Sequence, residues 1–343
     1  MTERERLLAI VDQFTGKRAL VLGDMVADEY IFGAPFRISR EAPVLVLRRQ
    51  GYSVAPGGAL NPAVNARTLG AEVYLAGVIG ADDPGQRLRA QLGALGVHME
   101  GLLTEPGRPT STKTRVLAGD SQLVQQQIVR IDQIDTSELE AETKQGIITY
   151  LRETIPLVDV VMISDYENGV INPDVLRAAL PQAERQGKIV VADSHGDLAR
   201  FQGVTALTPN QPEAEATLGW EITDGPSLNR AGERLLEMTG ADAVLITRGS
   251  QGMSLFTRYG EPFHLPASNR TEVADPTGAG DTVAATFTLA LAATAGAPAS
   301  GDTRYRDAAI LANLAAGLVV QRLGCATNTP AELAAAVNAK ITE

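Results

Sequence analysis

The chain has 343 residues and a formal net charge of −11 at neutral pH, with 44% hydrophobic and 21% charged residues. This composition is typical of a folded globular protein and excludes an intrinsically disordered or fibrous one. The acidic balance argues against a nucleic-acid partner, because such binding needs a basic face that displaces counterions from phosphates. Cys325 is the only cysteine, so an intrachain disulfide is excluded and a cytoplasmic location is expected.

Two segments of the sequence, 1–14 and 283–295, are candidates for a targeting or membrane segment, and neither has the required features. Residues 1–14 predict a charged amphipathic helix without the apolar core and cleavage site of a secretory signal, so we expect this helix to be retained. The most apolar stretch, 283–295, is rich in alanine and threonine and is short for a membrane span. We therefore expect a buried helix there and no membrane partner.

Short apolar runs rich in β-branched residues alternate with segments of helical spacing along the chain. The predicted strands are 19–22, 73–78, 158–163, 189–192 and 243–246. The predicted helices are 84–95, 137–153, 173–186 and 228–238. Strands that are apolar on both faces suit a mostly parallel sheet with helices on both faces. The pattern predicts one doubly wound α/β domain that spans residues 1–343.

Two segments, 31–54 and 110–132, interrupt this alternation. Both contain strand-like sequences, such as Val44–Leu47 and Thr112–Val116. They predict a small β appendage inserted within the domain. The alternative is a pair of ordinary surface hairpins.

The sequence Asp-Pro-Thr-Gly-Ala-Gly-Asp at 275–281 precedes a predicted helix over 282–291. Its glycines allow successive backbone amides to face one point at the helix N-terminus, where an anion is attracted. Those amides belong to Gly278, Ala279 and Gly280. Asp281, in the first turn, could accept a proton from an attacking hydroxyl, although the helix end should favour its ionised form and make it a weak base. The pattern predicts phosphoryl transfer, which depends mainly on positioning and charge stabilisation. The alternative is a helix start capped by an aspartate beside a glycine turn.

The same sequence resembles the C-terminal signature of the ribokinase-like (PfkB) family of sugar kinases, and residues 56–85 resemble that family's N-terminal glycine signature. The resemblance implies a ribokinase-like fold in which 31–54 and 110–132 form a β-sheet lid over the sugar, sometimes used as a dimer interface. We therefore expect a homodimer. It also implies ATP and Mg²⁺ as cofactors. Family members often bind a monovalent cation, such as K⁺, beside the residues matching Asp275 and Thr277.

Polar residues beyond the strands are the candidates for sugar binding, because ligands of open α/β sheets lie at the carboxyl ends of the strands. Asp24 matches a family aspartate that binds sugar hydroxyls, whereas Asp28 is either a second ligand or a turn residue. The pair Gly57-Gly58 would let a polyol approach the backbone closely. Asn61 could bind adjacent hydroxyls, or it could be the N-cap of the following helix.

The nucleotide side is assigned from three further matches to the family. Asn210 and Glu213 match an Asn-x-x-Glu motif that organises Mg²⁺ and the nucleotide phosphates, and Asn210 could equally cap a helix. Thr247 and Gly249, together with Gly278 and Gly280, match residues that contact the nucleotide. Asn313 occupies the place of an asparagine near the adenine, or it could be a solvated residue of an alanine-rich helix.

Sequence motifs over nearly the whole chain resemble the kinase domain of bacterial D-glycero-β-D-manno-heptose-7-phosphate kinases. They include RISREAPV at 37–44, TSTKTRV at 110–116 and SDYENG at 164–169. If the resemblance extends to function, ATP phosphorylates the anomeric hydroxyl of a heptose 7-phosphate. Candidate substrate residues in these motifs are Lys113, Arg115 and Asp165. The basic residues could instead be ordinary exposed side chains.

Two departures weaken the assignment of a phosphorylated sugar. Asn168 stands where those kinases usually carry a lysine, and Ser194-His195 replaces a usual Pro-Lys after Asp193. A substrate phosphate needs charge-assisted partners, so an alternative is a ribokinase- or fructokinase-like enzyme for an unphosphorylated sugar. A second alternative, from another class, is a catalytically silent sugar or nucleotide sensor. We interpret His195 as a simple loop histidine, because Asp281 already supplies a base.

The kinase domain of bifunctional heptose enzymes is often followed by a nucleotidyltransferase domain. The sequence contains no His-x-x-His phosphate-binding motif. We therefore expect any nucleotidyl transfer to occur elsewhere.

Overall fold

The computed structural model describes residues 1–119, 126–269, 273–296 and 301–341. The helices in these ranges are α1 (Glu3–Asp12), α2 (Leu60–Thr68), α3 (Asp83–Ala94), α4 (Ala141–Thr154), α5 (Pro173–Arg185), α6 (Gln211–Leu218), α7 (Gly225–Thr239), α8 (Ala279–Ala293), α9 (Gly301–Val319) and α10 (Pro330–Lys340). The strands are β1 (Arg18–Gly23), β2 (Met25–Ile38), β3 (Leu45–Gly58), β4 (Glu72–Ile79), β5 (His98–Thr104), β6 (Ser111–Ala118), β7 (Gln126–Gln133), β8 (Val160–Asp165), β9 (Ile189–Ser194), β10 (Ala206–Leu207), β11 (Ala243–Thr247), β12 (Met253–Thr257) and β13 (Gly260–Leu265).

The large sheet has nine strands in the order β13-β12-β11-β10-β9-β8-β1-β4-β5. The seven strands from β11 to β5 run parallel. β12 and β13 extend one edge as antiparallel strands. The direction of the order changes at β1, which pairs with both β4 and β8, so the polar residues that follow β1 and β8 meet at one edge of the sheet.

Helices cover both faces of this sheet and give two apolar cores. One core contains buried side chains of α1, α2, α8, α9 and α10, and the other contains those of α4, α5 and α7. The predicted doubly wound α/β fold is confirmed. Four of the five predicted strands lie within observed strands, and the fifth, 158–163, overlaps β8, which begins at Val160; the apolar residues of these strands are mostly buried on both faces.

The helix predictions are also confirmed in position, with differences at the ends. α4 begins at Ala141 rather than at 137, and α8 begins at Ala279 rather than at 282. The buried helix expected over 283–295 is present, but α8 ends at Ala293, and its residues from Thr282 to Ala293 are buried. Within the described ranges, no helix combines the length and apolar character needed to cross a bilayer.

The predicted β appendage is a separate four-stranded sheet in the order β3-β2-β6-β7, which we call the lid. β2 pairs with β3 in antiparallel fashion from Met25 and Gly58 outward, and with β6 in parallel fashion. β2 and β3 therefore extend beyond both ends of the predicted segment 31–54, because their pairing continues to Met25 and Gly58. Residues 120–125 of the second predicted segment lie outside the described residues.

Candidate active site

Asp281 lies in the first turn of α8, as predicted. The N-cap of this helix is Gly278, which has a φ of +78° and makes no side-chain capping bond. This left-handed conformation favours glycine, because a side chain there would be strained. Asp281 does not cap the helix, so the alternative of a simple aspartate-capped helix start is wrong. Its carboxylate makes its hydrogen bonds with residues outside α8.

Two side chains from other elements hold the Asp281 carboxylate. Asn61 Nδ2 donates to Oδ2 at 2.6 Å, and the Tyr166 hydroxyl donates to Oδ1 at 2.9 Å. Burial raises the pKa of Asp281 to about 6, against the opposing effect of these two hydrogen bonds. The direction of this pKa shift is opposite to the one expected from the helix end, because desolvation outweighs the two hydrogen bonds.

Asn61 is held by a chain of hydrogen bonds within the packed pair α2 and α8. It lies inside α2, whose N-cap is Ala59, so the alternative that Asn61 caps the helix is wrong. Asn65 Nδ2 donates to Asn61 Oδ1 at 3.1 Å, and Thr282 Oγ1 donates to Asn65 Oδ1 at 2.9 Å. Because Asn61 Oδ1 accepts from Asn65, its Nδ2 is turned toward the base.

The N-terminus of α8 is open on one side to an approaching anion. A Cβ added at Gly280 would meet no atom within 4 Å, whereas one at Gly278 would lie 2.7 Å from Asn61 Nδ2. The first amides of a helix lack intrahelical partners. The Ala279 amide, however, donates to the Pro276 carbonyl at 3.2 Å, so this one of the three predicted amides is engaged in a turn.

Asp275 stabilises the loop before α8 through two hydrogen bonds. Its Oδ1 accepts from the Thr277 amide and its Oδ2 from the Gly324 amide, both at 2.9 Å. Burial would raise the pKa of Asp275, but these hydrogen bonds outweigh it and lower the pKa below its ordinary value. Asp275 therefore joins the loop that carries Gly278 to the loop that follows α9.

A cleft of about 790 Å³ lies beside the N-terminus of α8 and is lined mainly by apolar surface. Five of the residues predicted for the nucleotide line it: Asn210, Thr247, Gly249, Gly280 and Asn313. Asn313 Nδ2 donates to the Pro266 carbonyl at 2.8 Å, so it is not a solvated helix residue. Its hydrogen bonding fixes one wall of the cleft.

Asn210 and Glu213 meet in a capping box at the start of α6. Asn210 Oδ1 accepts from the Glu213 amide at 2.9 Å, and Glu213 Oε2 accepts from the Asn210 amide at 2.7 Å. The capping alternative for Asn210 is thus present in the structure. The second oxygen of Glu213 bonds to Nδ1 of His195, and this bond raises the pKa of His195.

His195 is not a simple loop histidine. Besides its bond to Glu213, its ring packs edge-on against Tyr166, with ring centroids 4.4 Å apart. Asp193, two residues earlier, accepts from Thr208 Oγ1 at 2.8 Å. Burial and the neighbouring Glu213 and Asp281 raise the pKa of Asp193 to about 8. Glu213 and Asp193 thus form an acidic cluster around His195, close enough to Asp281 to interact with it.

Asp24 is almost fully buried, and its carboxylate is occupied by backbone groups. Oδ2 accepts from the amides of Tyr166 and Asn168 at 2.8 and 3.1 Å, and Oδ1 accepts from that of Val170 at 3.0 Å. Burial raises the pKa of Asp24 to about 6, although the bond from Asn168 opposes it. Asp24 thus organises the loop after β8, and its contact with sugar stays a prediction.

Asp28 lies on the lid strand β2 and is not a turn residue. Its Oδ1 accepts from Arg115 Nη1 at 2.7 Å. A Cβ at Gly57 would lie 2.7 Å from Asp28 Cγ, so glycine is required for this close approach. Lys113, on the same strand as Arg115, has its Nζ 4.9 Å from the Tyr166 ring centroid. Within the described residues, no ion pair joins Lys113 to a carboxylate.

Asp165, the last residue of β8, is buried beneath the site and does not face the cleft. It accepts from Ser194 Oγ at 2.8 Å, from Arg200 Nη1 at 3.2 Å and from the Glu167 amide at 3.0 Å. These contacts tie the loop after β8 to the end of β9. A role for Asp165 in substrate binding stays a prediction.

Sequence reasoning missed Tyr166 and Asn65 and undervalued His195. Tyr166 follows β8 directly, so the rule that ligands lie beyond the carboxyl ends of strands could have found it. Asn65 lies four residues after Asn61, on the same helix face. No sequence signal gave the contact between His195 and Glu213, because the two residues lie on different elements.

The family model described as pfkB family carbohydrate kinase matches residues 17–332. A protein named Bifunctional protein HldE from Desulfatibacillum aliphaticivorans is 42% identical, over 95% of this chain and 64% of that protein. The protein of the same name from Geobacter sulfurreducens is 41% identical, over 96% and 65%. The chain therefore spans just under two thirds of the length of these relatives.

Solved structures share the fold at low sequence identity. Ribokinase from Arabidopsis thaliana, complexed with ribose and ATP, has a TM-score of 0.72 at 18% identity, covering 96% of this chain and 100% of that one. Phosphofructokinase-2 from Escherichia coli, in complex with potassium, has a TM-score of 0.72 at 18% identity, covering 95% and 99%. These likenesses confirm the ribokinase-like fold, and the family match shows that the chain belongs to the pfkB family of carbohydrate kinases.

Proposed function

We propose that this protein is an ATP-dependent kinase that phosphorylates the anomeric hydroxyl of a heptose 7-phosphate. One observation carries the kinase assignment: the half-buried Asp281 carboxylate lies at an open helix N-terminus, beside an apolar cleft of nucleotide size. A base and an anion site thus lie next to each other, as in-line phosphoryl transfer requires. The similarity to proteins named HldE supports the heptose substrate.

In the proposed reaction, Asp281 orients the acceptor hydroxyl and receives its proton. The hydroxyl oxygen forms a bond to the γ-phosphorus of ATP while the bond to the β,γ-bridging oxygen breaks, and ADP leaves. The open amide of Gly280 and the positive end of α8 would stabilise charge on the transferred group. Burial favours this chemistry, because a carboxylate with a raised pKa is a better proton acceptor.

The nucleotide would occupy the cleft beside α8. Thr247 and Gly249 lie at the end of β11, and Asn313 lies on the opposite wall, where the apolar surface suits a base. In a kinase, bound Mg²⁺ neutralises charge on the transferring phosphates. Asn210 and Glu213 would hold Mg²⁺ through water and phosphate oxygens, which fits because the described residues contain no cluster of three His, Cys, Asp or Glu ligands.

A monovalent cation beside Asp275 and Thr277 is a further part of the proposal. Both oxygens of Asp275 accept backbone hydrogen bonds and its lowered pKa keeps it ionised, so the loop offers a fixed negative charge. K⁺ would bind there through carbonyl oxygens of the same loop. A comparison of turnover in K⁺ and in Na⁺ buffers tests whether K⁺ binds there and assists the reaction.

The phosphate of the sugar would bind under the lid. Arg115 is already paired with Asp28, whereas Lys113 has no carboxylate partner among the described residues. We assign Lys113 as the main partner of the 7-phosphate, because an unpaired ammonium can form a charge-assisted bond without breaking an existing ion pair. Asp28, Gly57 and Gly58 would contact the sugar ring from the lid side.

A second candidate is a kinase of an unphosphorylated sugar. The observation that favours it is the loss of two cationic positions, at Asn168 and His195. Asn168 is buried, and its Nδ2 has no hydrogen-bond partner in the structure, so it offers a neutral donor where a lysine would offer charge.

Turnover of MgATP to ADP across a panel of acceptors tests the proposal. The panel contains heptose 7-phosphate, fructose 6-phosphate, fructose and ribose, and compares the wild type with Lys113→Met and Arg152→Met, a basic residue of α4 outside the site. We expect heptose 7-phosphate to be preferred and only Lys113→Met to raise its KM, by about tenfold. Preference for a neutral sugar would establish the second candidate, and no turnover with any acceptor would establish the silent sensor.

The proposed assembly is a cytoplasmic homodimer formed through the lid. The lid exposes large apolar side chains: Phe36, Ile38, Leu45, Ile128, Val129 and Ile131. Adjacent exposed apolar residues are typical of a protein interface. The mass measured by light scattering should be that of two chains, and Ile131→Asp should lower it.

A further inference from the structure

Tyr166 contacts Asp281 from the side of the site that holds the sugar in the proposed function. Its hydroxyl donates to Asp281 Oδ1, while Asn61 holds Oδ2 from α2. The two donors lie on different elements and bind different oxygens. Together they fix the rotation of the carboxylate plane about its Cβ–Cγ bond, which one donor alone would leave free.

Tyr166 is itself held by contacts with Asp24, His195 and Lys113. Its amide donates to Asp24 Oδ2 at 2.8 Å, which sets the backbone of the loop after β8. His195 packs edge-on against the ring at a centroid distance of 4.4 Å, and Lys113 of the lid lies 4.9 Å from the ring centroid. A rigid tyrosine therefore joins the lid, the loop after β9 and the base.

We propose that Tyr166 is a positioning residue that aims the Asp281 carboxylate at the acceptor hydroxyl, an inference that rests on the proposed kinase function. It acts through its hydroxyl, which binds Asp281. Its ring contacts Lys113, so the position of the lid and that of the base are linked through this one side chain. Each carboxylate oxygen has a second lone pair, so the acceptor hydroxyl can bind while both existing donors remain in place.

The hydroxyl of Tyr166 stays a donor over the working pH range. Burial and the nearby Asp281 carboxylate raise the pKa of Tyr166 well above its ordinary value of 10. The titratable groups that face Asp281 come from several elements: Asp28, Tyr166, Asp193, His195 and Cys325. Of these, Tyr166 is the one that donates a hydrogen bond to the carboxylate.

Tyr166→Phe removes the hydroxyl and keeps the ring under Lys113. We expect kcat to fall by about tenfold, the effect of one hydrogen bond to a charged group, with little change in the KM of the sugar. In the Asp281→Asn background the same substitution should have no further effect, since it acts through Asp281. Tyr74→Phe is the matched control, because that ring stacks on His98 near the amino end of β4.

A readout independent of turnover separates this inference from the proposed function. The Asp281 carboxyl carbon, labelled with ¹³C, should titrate at higher pH in Tyr166→Phe than in the wild type, because the bond from Tyr166 favours the ionised form. If Tyr166→Phe is poorly folded, 3-fluorotyrosine at position 166 replaces it. Its more acidic hydroxyl should move the titration to lower pH.

Equal kcat and an equal Asp281 titration in the wild type and Tyr166→Phe would overturn the positioning role. A tenfold loss that is fully additive with Asp281→Asn would also overturn it. If no sugar is phosphorylated by the wild type, the proposed function fails, while the carboxyl titration still decides whether Tyr166 holds Asp281.

Discussion

Asp24 is a buried aspartate and Asp281 a half-buried one, and desolvation raises the pKa of each to about 6. Their partners differ. Asp24 accepts from three backbone amides of one loop, whereas Asp281 accepts from two side chains that come from separate elements. Backbone donors indicate a carboxylate that stabilises a loop of the site. Side-chain donors from separate elements indicate a carboxylate that is held for a role in the site.

Of the substitutions that distinguish the two aspartates, Asp281→Asn should have the largest effect. The amide cannot accept the proton of the acceptor hydroxyl, so kcat should fall by about 100-fold or more, the scale of general-base catalysis. Nucleotide affinity should change little, because the cleft walls do not include the Asp281 carboxylate. Steady-state kinetics and calorimetric titration with a non-hydrolysable ATP analogue measure the two quantities. Unchanged turnover would show that Asp281 is not the base.

Replacing Asp24 by Ala should act on stability more than on substrate binding. Three amides lose their acceptor, and since each unsatisfied buried donor costs about 1–3 kcal/mol, we expect the free energy of unfolding to drop by at least ~3 kcal/mol. Urea denaturation measures this loss, with Asp12→Ala, at the exposed end of α1, as the control. A raised sugar KM with unchanged stability would instead support the predicted sugar contact of Asp24.

Much of the fold follows from local sequence patterns. The five predicted strands are apolar on both faces, which is a property that a sequence records directly. The GAGD segment places Asp281 at a helix start for the same local reason: Gly278 adopts a positive φ that disfavours other residues. Features of this kind need only neighbouring residues, so they can be predicted without the structure.

The partners of the site residues could not be predicted in this way. The contact between Asn61 and Asp281 spans 220 positions, and that between Tyr166 and Asp281 spans 115. They depend on how α2 and the loop after β8 pack against α8. Burial, which raises the pKa of Asp281 against the hydrogen bonds from Tyr166 and Asn61, is likewise a property of the packed site.

The smallest expected effect is the dependence of kcat/KM on pH, which tests the raised pKa of Asp281. The base must be ionised, so kcat/KM for the sugar should be constant above about pH 6 and should fall about tenfold for each pH unit below it. Asp24 has a pKa in the same range, but its carboxylate does not reach the substrate in the proposed mechanism. The residual activity of Asp281→Asn should therefore lose the acidic limb, measured between pH 5 and about pH 8 at saturating MgATP. An acidic limb that persists in this variant would assign the titration to another group and remove the distinction between the two aspartates.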